Sequence, residues 1–170
     1  MALQSTPHLQ PLHQIDAHTA SENKRIAQRL IQSLKSKKQP INLQATQTEL
    51  NGLSAFGHRA IPQLTSDITL FEDSALINFS LALPLPEMIR YLNVEVMLVS
   101  SKEGLDFETA YIGDISLPGN GIVKLAEWLT NSYVKEEFGT SLLKLVKDVD
   151  ISAKQISVGV NLPDNFDNEN

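Results

Sequence analysis

The chain has 170 residues, 42% apolar and 20% charged, ordinary globular values that exclude wholesale disorder. That length suits one well-filled domain and would leave two cramped. A net charge of -6 argues against nucleic acid as the main partner, and the absence of cysteine removes disulfides, thiolate nucleophiles and cysteine-based zinc sites.

The charge is unevenly placed. Residues 1–60 hold seven Lys/Arg against three acids, and residues 61–170 hold seven against seventeen. A basic front end on an acidic body suits a place near anionic lipid head groups, or simply a solvated helix face. No stretch reaches the ~18–20 apolar residues of a membrane span, so the sequence taken literally reads as a soluble cytoplasmic chain.

Residues 1–15 are polar, carry two prolines and show no periodicity, which reads as a flexible tether. A helix is expected from Thr19, where Thr19 and Glu22 have capping-box spacing and Ile26, Ala27, Leu30, Ile31 and Leu34 form one stripe. Its basic end at Lys35–Lys38 suits a helix C-terminus, and Pro40 stops it. A short strand over Ile41–Ala45 follows. Thr46 and Glu49 then open a second helix through Leu50, Leu53, Phe56 and Ala60.

Four alternating segments come next: LTSDITLFE from Leu64, ALINFSLAL from Ala75, YLNVEVMLVS from Tyr91 and LDFETAYIGDISL from Leu105. Glu72-Asp73-Ser74 and Ser101–Gly104 are turn-like, so each should close a hairpin. Pro84 and Pro86 do not suit a central strand, which leaves that junction as a loop, bulge or crossover. An amphipathic helix from about Gly121 carries Ile122, Leu125, Ala126, Trp128, Leu129 and Val134. Leu142, Leu143, Leu145 and Val146 suggest another short helix, and Ile156–Leu162 a last strand. Residues 16–163 thus form one domain, with 164–170 an acidic tail. The element order predicts an α+β fold: a largely antiparallel sheet of about five to six strands covered by amphipathic helices.

Candidate chemistry is thin. His8, His13 and His18 recur every five residues, a spacing that does not gather metal ligands, so no metal site is assigned. Asp106 and Glu108 at i, i+2 could share a proton or an ion if they lie on one strand face, and they also fit a plain wet face. His58 and Arg59 complement a helix C-terminus. There is no G-x-S-x-G elbow, G-x-G-x-x-G or P-loop, so no catalytic residue and no cofactor is assigned. The apolar stripe of Phe79, Leu81, Leu83, Leu92, Val94, Val96, Leu98, Phe107 and Tyr111 either packs as core or stands apart from its helical cover. In the second case an apolar groove would be lined by Phe79, Leu81, Tyr91, Phe107, Tyr111 and Trp128.

The segments INLQATQTELN at 41–51, RYLNVEVML at 90–98, YIGDISLPG at 111–119 and VDISAKQISVGVNLP at 149–163 resemble a family of proteobacterial membrane-anchored, extracytoplasmic proteins of unknown function. The likeness spans residues 16–163. It implies a hydrophobic helix ahead of this domain, an anchor that these residues do not include, and a place at the periplasmic face of the inner membrane. The family brings no activity, cofactor or catalytic residue to carry over. The helix-and-curved-sheet order is also distantly similar to tubular lipid-binding modules, at the level of fold alone.

The sequence thus reads as a non-enzymatic, envelope-associated binding or scaffolding domain for a lipid or other apolar ligand. A protein–protein interaction module without a small ligand is the alternative. A hydrolase using Asp106, Glu108 and His58 is the remaining one, and it requires those three side chains to converge.

Overall fold

Alternation of apolar and polar residues becomes strand wherever one face can be buried. The computed structural model describes residues 3–9, 28, 41–85, 88–119, 121–124 and 144–161. Within them lie nine strands and one long helix: β1 (Leu3–Gln4), β2 (Ile41–Thr46), α1 (Gln47–Ala60), β3 (Leu64–Leu70), β4 (Ser74–Leu85), β5 (Met88–Val99), β6 (Asp106–Ile112), β7 (Ile115–Leu117), β8 (Val146–Ile151) and β9 (Gln155–Val160). They form an antiparallel sheet in the order β3-β4-β5-β6-β7, with β1 also on β5, and a smaller antiparallel sheet ordered β2-β9-β8. The α+β class and the antiparallel pairing are as the sequence predicts. The expected helix over Thr19–Lys38, and most of the one after Gly121, fall outside the described residues.

The large sheet is a meander of hairpins. Glu72-Asp73 joins β3 to β4, and the Ser101–Gly104 turn joins β5 to β6, both at the expected places. The two-proline junction is neither bulge nor crossover. Strands β4 and β5 pair directly, with Pro84 opposite Ile89 and Leu85 opposite Met88. Ala82 donates its N–H outward to the Gln63 carbonyl, so Pro84, two residues on, turns its nitrogen, which carries no hydrogen, the same way. Strand β3 has already ended there, since Leu64 pairs with Leu81, and the proline costs no ladder bond. The segment read as one strand from Leu105 to Leu117 is two. Gly113, at φ 57, takes the first place of the two-residue loop Gly113-Asp114, and β7 folds back on β6.

Cross-strand pairing fixes the faces. Leu92, Val94, Val96 and Leu98 stand opposite Leu81, Phe79, Ile77 and Ala75 on β4. These face the interior, where Val94, Val96 and Leu98 are buried. Among the described residues the cover is helical only in part. Over Leu70, Ala75 and Leu98 it is the small sheet, through Val149, Ile151, Ile156 and Val158, together with Leu50 of α1. Over Val94, Val96 and Ala110 it is Ile122, from helical residues 121–124. Gly119, just before, allows the chain to approach β6: a methyl group there would overlap the Phe107 carbonyl oxygen. Ser101 locks the two sheets together by exchanging N–H···O bonds of 2.8 Å with Val149.

Lys144 and Leu145 are helical, as expected of the short helix there, but the chain turns to strand at Val146, where β8 begins. The pairing of β8 with β9 shifts between Val146 and Asp148. That irregularity breaks the two-residue period and leaves Val146, Val149 and Ile151 at a spacing that does not look like a strand.

Helix α1 begins as the sequence dictates. The Thr46 hydroxyl accepts from the Glu49 N–H at 3.3 Å, and the Glu49 carboxylate accepts from the Thr46 N–H at 2.8 Å. The helix then lies along the outer edge of β3. Gln47 Oε1 accepts from the Leu70 N–H at 3.0 Å, and Asn51 both donates to the Ile68 carbonyl at 2.9 Å and accepts from its N–H at 2.7 Å. His58 Nδ1 donates to the Leu64 carbonyl at 2.7 Å. Spaced by four and seven, these three side chains share one helix face and satisfy backbone groups that an edge strand leaves open.

Candidate functional site

The site follows from a single inserted residue. Along β6, Thr109 pairs with Met97 and Phe107 with Leu98, so Glu108 is extra and the strand is bulged. Phe107 and Tyr111 are four apart and would share a face in a regular strand. The bulge sends Tyr111 to the opposite face, where it stands across from Glu95 and is 40% exposed. Tyr91 belongs to that second face as well, since it alternates with the inward Leu92 and pairs with Ala82 and Gln4. Of the residues expected to line one apolar groove, Phe79, Leu81 and Phe107 therefore face the interior and Tyr91 and Tyr111 face away from it. Trp128 lies outside the described residues. Phe79 and Phe107 pack against the Val94, Val96, Ala110 and Ile122 cluster.

The second face is polar, and Asn93 is its fixed point. Its side chain is 1% exposed on a central strand, so every polar atom needs a partner. All four bonding positions are used. Oδ1 accepts from the Ser80 hydroxyl at 2.6 Å and from the His8 N–H at 3.0 Å. Nδ2 donates to Gln4 Oε1 and, at 3.0 Å, to the Thr6 carbonyl. The segment read as part of a tether is thus, over residues 3–9, seated on the sheet. It pairs through β1 with Leu92 and Tyr91, on the same edge of β5 that β6 occupies from Val94 onward.

Between this strap and the β6–β7 hairpin is a cavity of about 240 Å3, lined by His8, Asn93, Glu95, Tyr111 and Gly113. Asn93 is saturated and forms its floor. The His8 imidazole, the half-buried Glu95 carboxylate and the Tyr111 hydroxyl make no hydrogen bond or ion pair with any described residue. Three polar side chains with free bonding capacity around one hollow are the ordinary makings of a binding site. A second cavity of about 300 Å3, lined by Glu103, Gly104, Leu105, Val123, Lys144 and Val146, lies at the junction of the β5–β6 turn with the small sheet.

The hydrolytic set does not assemble. His58 holds the outer edge of β3, whereas Asp106 and Glu108 are on β6, three strand spacings or roughly 14 Å across the sheet. The bulge also ends the regular alternation that would align Asp106 with Glu108. Among the described residues no group of three or more His, Asp or Glu side chains is arranged to hold a metal ion. His13 and His18 lie outside them. No helix of the described residues is long and apolar enough to cross a membrane.

No protein-family model, curated protein or solved structure matches the chain.

Proposed function

We propose that this chain is a non-enzymatic binding domain whose ligand enters from the polar face of the large sheet. The observation that carries the reading is the hollow at the strap, where the His8, Glu95 and Tyr111 side chains have no partner among the described residues while the Asn93 beneath them is fully bonded. A site built on two strands and a saturated buried amide is held in place before a ligand arrives, which lowers the cost of binding. An apolar ligand in the originally expected groove would have to displace packed side chains, because Phe79 and Phe107 are part of the interior.

A protein partner is the second reading. Tyr111, at 40% exposure, borders the hollow on the β6–β7 hairpin and gives it an apolar rim. Association with the bacterial envelope belongs to the proposal through the family resemblance. A run of about 20 apolar residues encoded upstream of Met1 is the result it expects, and a genome without one would remove it.

Isotope-labelled protein titrated with small cations, anions, polyols and short-chain lipids tests the binding reading. Amide shifts should gather at Asn93, Glu95, Tyr111 and Gly113. Shifts confined to Phe79, Leu81 and Phe107 would instead restore the apolar ligand. Ester or phosphodiester hydrolysis that disappears in Asp106→Asn would overturn the non-enzymatic part.

A further inference from the structure

From the charge and donor pattern of the same face, and resting on the binding reading above, we infer that the hollow at His8, Glu95 and Tyr111 takes a primary ammonium group. Strands β1 and β3–β7 contain four acids, Asp67, Glu95, Asp106 and Glu108, and one basic residue, Arg90. Arg90 alternates with Leu92 and pairs with Leu83, which places it on the interior side of the sheet. The outer face therefore offers carboxylates with no cation of its own among the described strands. Asp67, Asn78, Glu95, Tyr111 and Ser116 form one cross-strand row. Asp67 stands two strand spacings from Glu95, roughly 10 Å, and adds to the same negative field.

The Glu95 carboxylate, half-buried and without a partner among the described residues, has its lone pairs open to a cationic donor. The acceptors are separate rather than a planar pair: one carboxylate, one phenol oxygen and one imidazole nitrogen. That set suits the three divergent donors of an ammonium better than the flat fork of a guanidinium. The Tyr111 ring gives such a cation an aromatic face and its methylenes an apolar contact. At about 240 Å3 the hollow is smaller than the roughly 300–1,000 Å3 of pockets that enclose drug-sized ligands, so it holds a small amine or the tip of a longer chain. An anion such as phosphate would instead meet the Glu95 carboxylate directly and the Asp67 charge along the same row.

The test is a titration of the full labelled chain at constant ionic strength with four probes: butylammonium chloride, Nα-acetyl-lysine methylamide, n-butanol and sodium butyrate. Both ammonium probes should give saturable shifts at Glu95, Tyr111 and Gly113. Glu95→Gln, which keeps shape and loses charge, should weaken them by about tenfold or more, and Tyr111→Phe by a few-fold, with the remaining spectrum unchanged. Tighter binding of the lysine derivative assigns the ammonium to a peptide side chain, and tighter binding of butylammonium to a free amine. Butanol or butyrate binding as tightly as butylammonium, or Glu95→Gln leaving affinity unchanged, would overturn the ammonium assignment while the site itself stands. Silence of these amides toward all four probes and toward the wider panel overturns both.

Discussion

The outer edge of β3 and the stretch of β5 that β6 leaves uncovered are closed by the same chemistry applied over very different distances along the chain. At β3 the amide of Asn51 bonds both backbone groups of Ile68, only 17 residues away. On the β5 side the amide of Asn93 holds Gln4, Thr6 and His8, which are 85 to 89 residues distant. Asn51 belongs to a helix already fixed by its cap and by Leu50 in the core, so its bonds order little additional chain. Asn93 must order a segment whose backbone pairing is only two residues long. The first contact closes an edge. The second also builds a wall of the candidate site, since His8 arrives with the strap. A feature that depends on a few long-range bonds is where local opening should be easiest, and binding sites are often drawn from that end of the stability range.

The sharpest way to break the comparison is Asn93→Ala. It strips partners from the Ser80 hydroxyl, the His8 N–H, Gln4 and the Thr6 carbonyl at once, and Ser80 is only 2% exposed. Leaving buried polar groups unpaired should cost about 2–4 kcal/mol in denaturant unfolding. Hydrogen exchange at residues 3–9 should lose its protection first. Protection that survives would mean the strap is held by β1 pairing alone.

Which parts of this arrangement could be read in the sequence follows from how local their causes are. The capping box at Thr46 and Glu49 and the two turns at Glu72-Asp73 and Ser101–Gly104 are written in a few adjacent residues, and the structure has them where the spacing says. Alternation in YLNVEVML also gave β5 its faces, and it already set Tyr91 apart from Leu92. The bulge at Glu108 has no such local mark, because it is defined by a slip against β5. Tyr111 consequently changed sides. The irregularity between Val146 and Asp148 concealed β8 in the same way. The strap was invisible for a different reason: its bonds use backbone groups and the side-chain amides of Gln4 and Asn93, without any hydrophobic period. An Asn at the centre of an apolar strand was the one available signal, since a buried amide demands partners from somewhere.

Asn51→Leu tests the opposite side. It removes both bonds to Ile68 while keeping bulk and helix propensity, so unfolding should become easier by about 1–2 kcal/mol. Its distinctive outcome is association. With Ile68 unpaired, the middle of β3 becomes a template for another strand, and size-exclusion chromatography should show concentration-dependent oligomers. A protein that stays monomeric would assign the closing of that edge to Gln47 and His58.

The mildest change, Thr46→Ala, decides whether the two sides are independent. It removes the hydroxyl that accepts from the Glu49 N–H and donates to the Glu49 carboxylate at 3.1 Å, and it leaves the Thr46 N–H bonded to that carboxylate. Loss of such a cap costs about 1 kcal/mol, and Thr46→Ser should recover most of it. The helix reaches β3 through Gln47, one residue past the cap, so fraying at this end should first loosen the Leu70 N–H. Exchange at Leu70 should therefore quicken while residues 3–9 keep their protection, because β4 and β5 stand between the two and share no side-chain bond with α1 among those described. If the strap loosens together with Leu70, the edges are coupled through the sheet, and a ligand at Glu95 and Tyr111 would then be felt at the start of α1.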